Sequence, residues 1–166
     1  MKTEILIKNL QKKVRFNGRY IKKVVGKTIQ CAGIGFYPVE ISLTVVNNSY
    51  IKRINKKYRK VNRITDVISF PSAPEFGASP TAWQSGIPGR SADFVFNSNK
   101  VYGGDIFISI EKARSQAGKF NHSLKRELTL LCAHGVLHLF GYDHVRKKDA
   151  VKMRKKEEEV LNCLNL

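Results

Sequence analysis

Three of the four histidines of this 166-residue chain fall within one short stretch, His134-Gly-Val-Leu-His138-Leu-Phe-Gly141-Tyr-Asp143-His144. Residues four apart on an α-helix stand one turn above each other on the same face. A helix over about 124–140 therefore points His134 and His138 the same way, close enough to share one ion. Gly141 reads as the helix stop, because glycine takes the left-handed backbone at little cost. A turn there brings His144 to the open side of the pair. Three neutral imidazoles that leave one coordination position open describe a catalytic zinc site rather than a structural one. The competing reading is a surface cluster of histidines at a helix C-terminus, where partial positive charge is favourable. The apolar remainder of the helix (Leu128, Leu130, Leu131, Cys132, Ala133, Val136, Leu137, Leu139, Phe140) weighs against it. Two histidines buried beside such a stripe without partners would be costly.

Zinc bound to His134, His138 and His144 would bring the pKa of a bound water to about 7 and polarise a phosphoryl or carbonyl oxygen. Zinc is argued from ligand type; nickel and other divalent transition metals also accept imidazole. In the helical zinc proteases the residue after the first histidine is the glutamate that serves as general base. Here that residue is Gly135, so a peptidase of that type is disfavoured. Asp143, inside the turn, is the nearest carboxylate in sequence. It could act as the base, orient a ligand histidine, or simply bond its own turn backbone. A second candidate group is the basic run Lys52, Arg53, Lys56, Lys57, Arg59 and Lys60. Any one member reads as a solvated helix face, but as a group the run suits phosphate contacts. Arg59 can donate two parallel bonds to the charge that develops on a phosphorane.

The elements that must position these residues follow from periodicity and turn chemistry. Glu4–Lys8 reads as a strand, and about 17–33 as a helix with Ile21, Val24, Val25, Thr28 and Ile29 inward, ended by Gly33, Gly35 and Pro38. Val39–Val46 alternates like a strand, and Asn47 or Asn48 caps the helix that follows. Thr65–Phe70, stopped by Pro71, and Gly103–Ser109 are further strands, with helices over about 110–119 and 146–163. Residues 72–102 form a long loop rich in Pro, Ser, Gly and Asn, whose Phe76, Trp83, Phe94, Val95 and Phe96 argue that parts of it pack down. The expected architecture is α/β (α+β): one domain over 1–166 with a mixed four-stranded sheet covered by about five helices and a metal-binding helix-turn near the C-terminus.

Thirty Lys+Arg against 13 Asp+Glu gives a net charge of +17. Such an excess suits a polyanion, nucleic acid above all. No stretch approaches the ~18–20 apolar residues of a membrane span, and Met1–Glu4 lacks the pattern of a signal peptide. Cys31, Cys132 and Cys163 are far apart in sequence and form no C-x-x-C pair, as expected of reduced packing residues in a cytoplasmic protein without a disulfide partner.

The motif His134-Gly-x-Leu-His138-Leu-x-Gly141-Tyr-Asp143-His144 resembles the signature of the YbeY family, the bacterial ribosomal-RNA maturation factors. Supporting blocks stand in order: Asn55-x-x-Tyr-Arg59, Thr65-Asp66-Val-Ile-Ser-Phe70-Pro71, Gly104-Asp105-Ile-x-Ile-Ser109 and Met153-x-x-x-Glu157. The likeness covers about 39–71 and 103–161, and the first 38 residues match only in pattern. It implies a zinc-dependent, single-strand-specific endoribonuclease that matures the 3′ end of small-subunit (16S) ribosomal RNA and takes part in ribosome quality control. It also implies His134, His138 and His144 as zinc ligands and Arg59 as the basic residue of the catalytic cleft. Thr65 and Asp66 belong to a block near the site, with a core or strand-end role. Three departures stand out: Ile64 where the family has Pro, a longer 72–102 segment, and a more basic chain. Two alternatives remain at this point, a non-catalytic RNA- or ribosome-binding assembly factor with a fold-stabilising metal, and a metallohydrolase acting on another substrate.

Overall fold

The computed structural model describes residues 3–33, 38–72 and 101–166. The expected loop at 72–102, with the packing assigned to its aromatic residues, lies outside them except at its ends, as does Gly35. The described elements are β1 (Glu4–Asn9), α1 (Gly18–Cys31), β2 (Val39–Val46), α2 (Asn48–Arg59), β3 (Val67–Pro71), β4 (Val101–Ser109), α3 (Ile110–Lys119), α4 (Leu124–Leu139) and α5 (Lys147–Cys163). The sheet runs β1-β2-β4-β3, with β1, β2 and β4 parallel and β3 antiparallel to β4 at one edge. This is the mixed four-stranded α/β arrangement with five helices that the sequence predicts.

Alternation along the strands divides the sheet into two faces. Ile41, Leu43 and Val45 of β2 and Ile106 and Ile108 of β4 join α1, α4 and α5 in the main core. The opposite face makes a smaller core in which Ile68 packs with Val46 and Ile51 under α2, alongside Phe70 and Phe107. Phe107 lies edge-on to Phe70, which in turn meets Tyr58 of α2. Side-chain caps start four of the helices: Asn17, Asn47, Ser109 and Ser123 accept from the N–H groups of Tyr20, Tyr50, Lys112 and Arg126. Asn47 is thus the cap of α2, while the backbone N–H of Asn48 donates to Glu111 and ties α2 to α3.

Three details depart from the sequence expectations. β3 begins at Val67 rather than Thr65, because the Asp66 carboxylate takes the Val67 N–H at 2.9 Å and the Thr65 hydroxyl at 3.1 Å. Burial works against the charge on Asp66, but these bonds and one from Gln116 outweigh it and hold the carboxyl below its ordinary range. Asp66 therefore has the strand-end role. Pro71 does not stop the strand but ends it within the ladder, opposite Gly104, which an edge strand tolerates. Lastly, Cys31 and Cys163, distant in sequence, end α1 and α5 within thiol–thiol hydrogen-bond reach of each other, both as free cysteines.

Gly104 is where backbones meet most closely. Its φ is +130°, and a Cβ there would fall 2.2 Å from the Phe70 carbonyl oxygen and 3.0 Å from Leu139 of α4. The Phe70 carbonyl cannot retreat without opening the β3–β4 ladder, in which Phe70 pairs with Asp105. Gly104→Ala is expected to cost at least about 2 kcal/mol, read as a fall in the urea midpoint. A midpoint equal to the parent's would contradict the packing described.

Candidate metal centre

α4 carries the centre, and its sequence explains its placement. Gly135 lies between helix and sheet: a Cβ at that position would sit 2.9 Å from Ile106 Cγ2 and 3.4 Å from Val67 Cγ2. The position that is glutamate in helical zinc proteases thus points into the core, away from the histidines, which supplies a physical reason for the departure from that motif. One position back and three forward, His134 and His138 emerge half-buried.

The helix then ends as the sequence predicts. The Gly141 N–H bonds the His138 carbonyl at 3.1 Å and the Tyr142 N–H bonds the Leu137 carbonyl at 3.0 Å. With Gly141 at φ +78°, this is the Schellman closure. Buried Tyr142 anchors the turn, and exposed His144 swings back over the pair. The ring centroids are 4.6 Å (His134–His138), 5.0 Å (His138–His144) and 5.4 Å (His134–His144) apart. One nitrogen from each ring lies within 4.8 Å of the others. Among the described residues this is the one group of three or more metal-type donors so close together.

The hydrogen bonds around the rings test whether they suit an ion. His134 Nδ1 is 2.8 Å from Glu157 Oε1 on α5, so the carboxylate accepts its proton and Nε2 is the nitrogen turned toward the other rings. His138 bonds the backbone of Tyr142, a contact in which the ring nitrogen donates, while its Nε2 faces His134 Nε2 at 3.1 Å. Burial first, and then the neighbouring His134 and His144 rings, push the His138 pKa down to about 4, so it is neutral at pH 7. The two Nε2 atoms thus face each other at 3.1 Å, near the spacing of two imidazoles on one cation. Two imidazoles on tetrahedral zinc, with Zn–N of 2.0–2.1 Å, place their nitrogens about 3.3 Å apart. The residues fit a transition metal.

The other candidates are distributed unevenly. Asp143 is exposed, and its Oδ1 accepts the His144 backbone N–H at 2.7 Å; its charge favours protonation of His138. The carboxylate bonded to a histidine ring of the cluster is Glu157, which the sequence reading quoted in a motif but gave no role. Its signal was helical spacing: buried Met153 and Glu157 stand four apart on α5. Arg59, the last residue of α2, reaches the edge strand, where its Nη2 donates to the Ser69 carbonyl at 3.3 Å. Ser69 pairs with Ile106, the residue beneath Gly135. Arg59 is therefore tied to the strand under the metal helix, with no direct bond to the histidines among the described contacts. Lys52, Arg53, Lys56 and Lys57 are exposed on α2, and Lys60 is exposed at its C-cap. Arg53 lies over the Tyr50 ring at 5.3 Å, Lys57 over Tyr58 at 5.1 Å. The fourth histidine, His122, stands apart and pairs with buried Glu127 at 3.0 Å.

The fold and the site together define an α/β protein with a three-histidine, transition-metal-type centre on a helix-turn above the edge of its sheet. Comparison with known proteins narrows that class. The family model described as Endoribonuclease YbeY matches residues 6–165, including nearly all of the N-terminal part that the sequence related only in pattern. Relatives named Endoribonuclease YbeY come from Caldicellulosiruptor bescii, 40% identical over 98% of both chains, and from Clostridium botulinum (strain Eklund 17B), 34% identical over 98% of both chains. The fold is similar to the solution structure of TM1509 from Thermotoga maritima, with a TM-score of 0.58 at 23% identity, covering 97% of this chain and 91% of that one. The chain belongs to the YbeY endoribonuclease family.

Glu157→Gln is expected to weaken zinc affinity by about 10–100-fold, measured by competition with a chromogenic chelator. Asp143→Asn should cost clearly less. The reverse order would mean that the turn carboxylate, not the α5 carboxylate, supports the ligands.

Proposed function

We propose that this chain is a zinc-dependent endoribonuclease that cuts single-stranded RNA, acting in maturation of the 3′ end of small-subunit ribosomal RNA and in ribosome quality control. The observation that carries the reading is the convergence of His134, His138 and His144, with Glu157 fixing the first ring, on a chain of the YbeY family. A metal held there would supply a Lewis acid that acidifies water and polarises a phosphoryl oxygen.

The chain's own groups supply the remaining functions. Glu157 accepts the proton on the outer nitrogen of His134, which orients the inner nitrogen toward the other two rings. The apolar floor under Gly135 fixes the helix against Ile106 and Val67 and limits drift of the rings. Arg59 is the candidate for the developing phosphate charge. Its present bond to one carbonyl at 3.3 Å is long and single, and a bidentate phosphate contact would replace it favourably. The exposed lysines and Arg53 of α2 have no carboxylate within ion-pair distance among the described residues, leaving them for backbone phosphates. Asp143, beside His138, is the candidate base. No helix among the described residues is long and apolar enough to cross a membrane, consistent with work on RNA in the cytoplasm.

The test is cleavage of an end-labelled single-stranded RNA by purified protein, with and without chelator, beside His138→Ala and Arg59→Ala variants confirmed folded by circular dichroism. Chelator and His138→Ala should abolish cleavage. Arg59→Ala should retain the metal and lose about 100-fold or more in kcat, as when a transition-state donor is removed. Product ends then name the nucleophile: a 2′,3′-cyclic phosphate means attack by the RNA 2′-hydroxyl. Metal-loaded protein that binds RNA in a salt-dependent way but never cuts it would instead be an assembly factor. Salt-insensitive hydrolysis of another bond would make it a hydrolase of a different class.

A further inference from the structure

The sequence Lys12-Lys13-Val-Arg15-Phe16-Asn-Gly-Arg19-Tyr20 interleaves cations with aromatic rings, a pattern that the metal centre does not use. In the fold, its second half meets the start of α4 around a cavity of about 390 Å³. Phe16 and Tyr20 line it beside the apolar Leu124 and Leu128, and the exposed Arg15 and Lys125 border it. That volume is typical of sites that take small organic groups.

The cavity is built rather than incidental. The Thr129 hydroxyl donates its one proton to the Lys125 carbonyl at 2.8 Å. The Tyr20 hydroxyl must therefore be the donor in its 2.9 Å bond to Thr129 Oγ1. This bond spends the polar end of Tyr20 and fixes the ring as a surface. Lys125 Nζ stands 4.8 Å from the centre of that ring, so the ring holds the ammonium at the cavity. Neither Lys125 nor Arg15 has a carboxylate partner among the described residues. A rigid aromatic surface with uncompensated cations beside it matches a base and its phosphates, whereas an apolar protein partner would leave both charges unmatched.

The cavity also bears a defined relation to the histidines. Thr129, which faces Tyr20, and His138 are nine residues apart on α4, which places them on opposite sides of the helix. Leu128 precedes His138 by ten residues, about 15 Å of rise. One strand reaching both places must extend several nucleotides beyond the cleaved bond.

We propose that this groove is an RNA exosite that stacks one unpaired base of the substrate on Phe16 and Tyr20, with Arg15 and Lys125 on the adjoining phosphates. The proposal rests on the reading of the chain as an RNA-cutting enzyme, but base capture is measurable without cleavage. Two variants of the full chain, Arg15→Ala/Lys125→Ala and Phe16→Ala, are checked by thermal melting and compared with the parent. Binding of an unstructured fluorescent RNA of about 20 nucleotides should weaken about tenfold in each. The plot of log affinity against log salt should be shallower by about 1.4 in the double variant, two phosphate contacts at about 0.7 each. Cleavage of the long RNA should show a raised KM with kcat unchanged, while a trinucleotide is cut as by the parent. A 4-thiouridine-substituted RNA should cross-link to the peptide containing Phe16 and Tyr20. Parent-like binding in the folded double variant, with no cross-link to that peptide, overturns the exosite and leaves the endoribonuclease reading intact. If the parent cuts no RNA, the reading of the metal centre fails, and the binding and cross-linking results still decide the groove.

Discussion

Two imidazole nitrogens facing each other across 3.1 Å set the terms for everything around them. The outer nitrogen of His134 is engaged by Glu157 and that of His138 by the Tyr142 backbone, which turns the inner nitrogen of each ring toward the other. Burial and the neighbouring rings also oppose a positive charge on His138. Holding two half-buried rings this close depends on the packing of α4. That packing begins with Gly135, whose missing side chain lets the helix settle onto Ile106 and Val67. It continues at Gly104, where β3, β4 and the end of α4 come together closely enough to exclude a methyl group. The Schellman turn completes the set by returning His144 to the same point. Site geometry and fold stability thus depend on the same few contacts.

What was legible in the sequence was whatever has a local cause. The i, i+4 pair and the glycine stop follow from helix periodicity and backbone sterics, and both appear where the spacing put them. The Asn cap of α2 and the alternating β2 were legible for the same reason. What was hidden depends on how elements pack. Glu157 lies twenty-three residues from His134 in sequence, and nothing local says which side of α5 meets α4. Of the readings open for Asp143, the bond to its own turn is the local one, and it is present. The start of β3 shifted because Asp66 bonds the N–H of the residue after it, a choice that periodicity does not encode. Cys31 and Cys163 likewise meet only because α1 and α5 end side by side.

The charge of the chain also gains meaning from its arrangement. A net +17 is a statement about composition, and by itself it names only a polyanion. In the fold, Arg53 and Lys57 of α2 are exposed above the rings of Tyr50 and Tyr58, and Arg59 leans on the edge strand that lies under the histidine helix. A separate group borders an aromatic groove on the far flank of that same helix. α4 is therefore the element that relates the histidines to the basic surface: it carries the first two histidines of the cluster, packs on the strand that Arg59 touches, and closes one side of the groove.

The central claim is that three histidine nitrogens hold one transition metal and leave a place for solvent. X-ray absorption at the zinc edge of the full chain, loaded with one equivalent of zinc, tests it most directly. The account predicts three nitrogen scatterers with imidazole outer-shell features at about 2.0–2.1 Å and one further oxygen. A sulfur shell at about 2.3 Å, or a spectrum unchanged in His138→Ala, would contradict it.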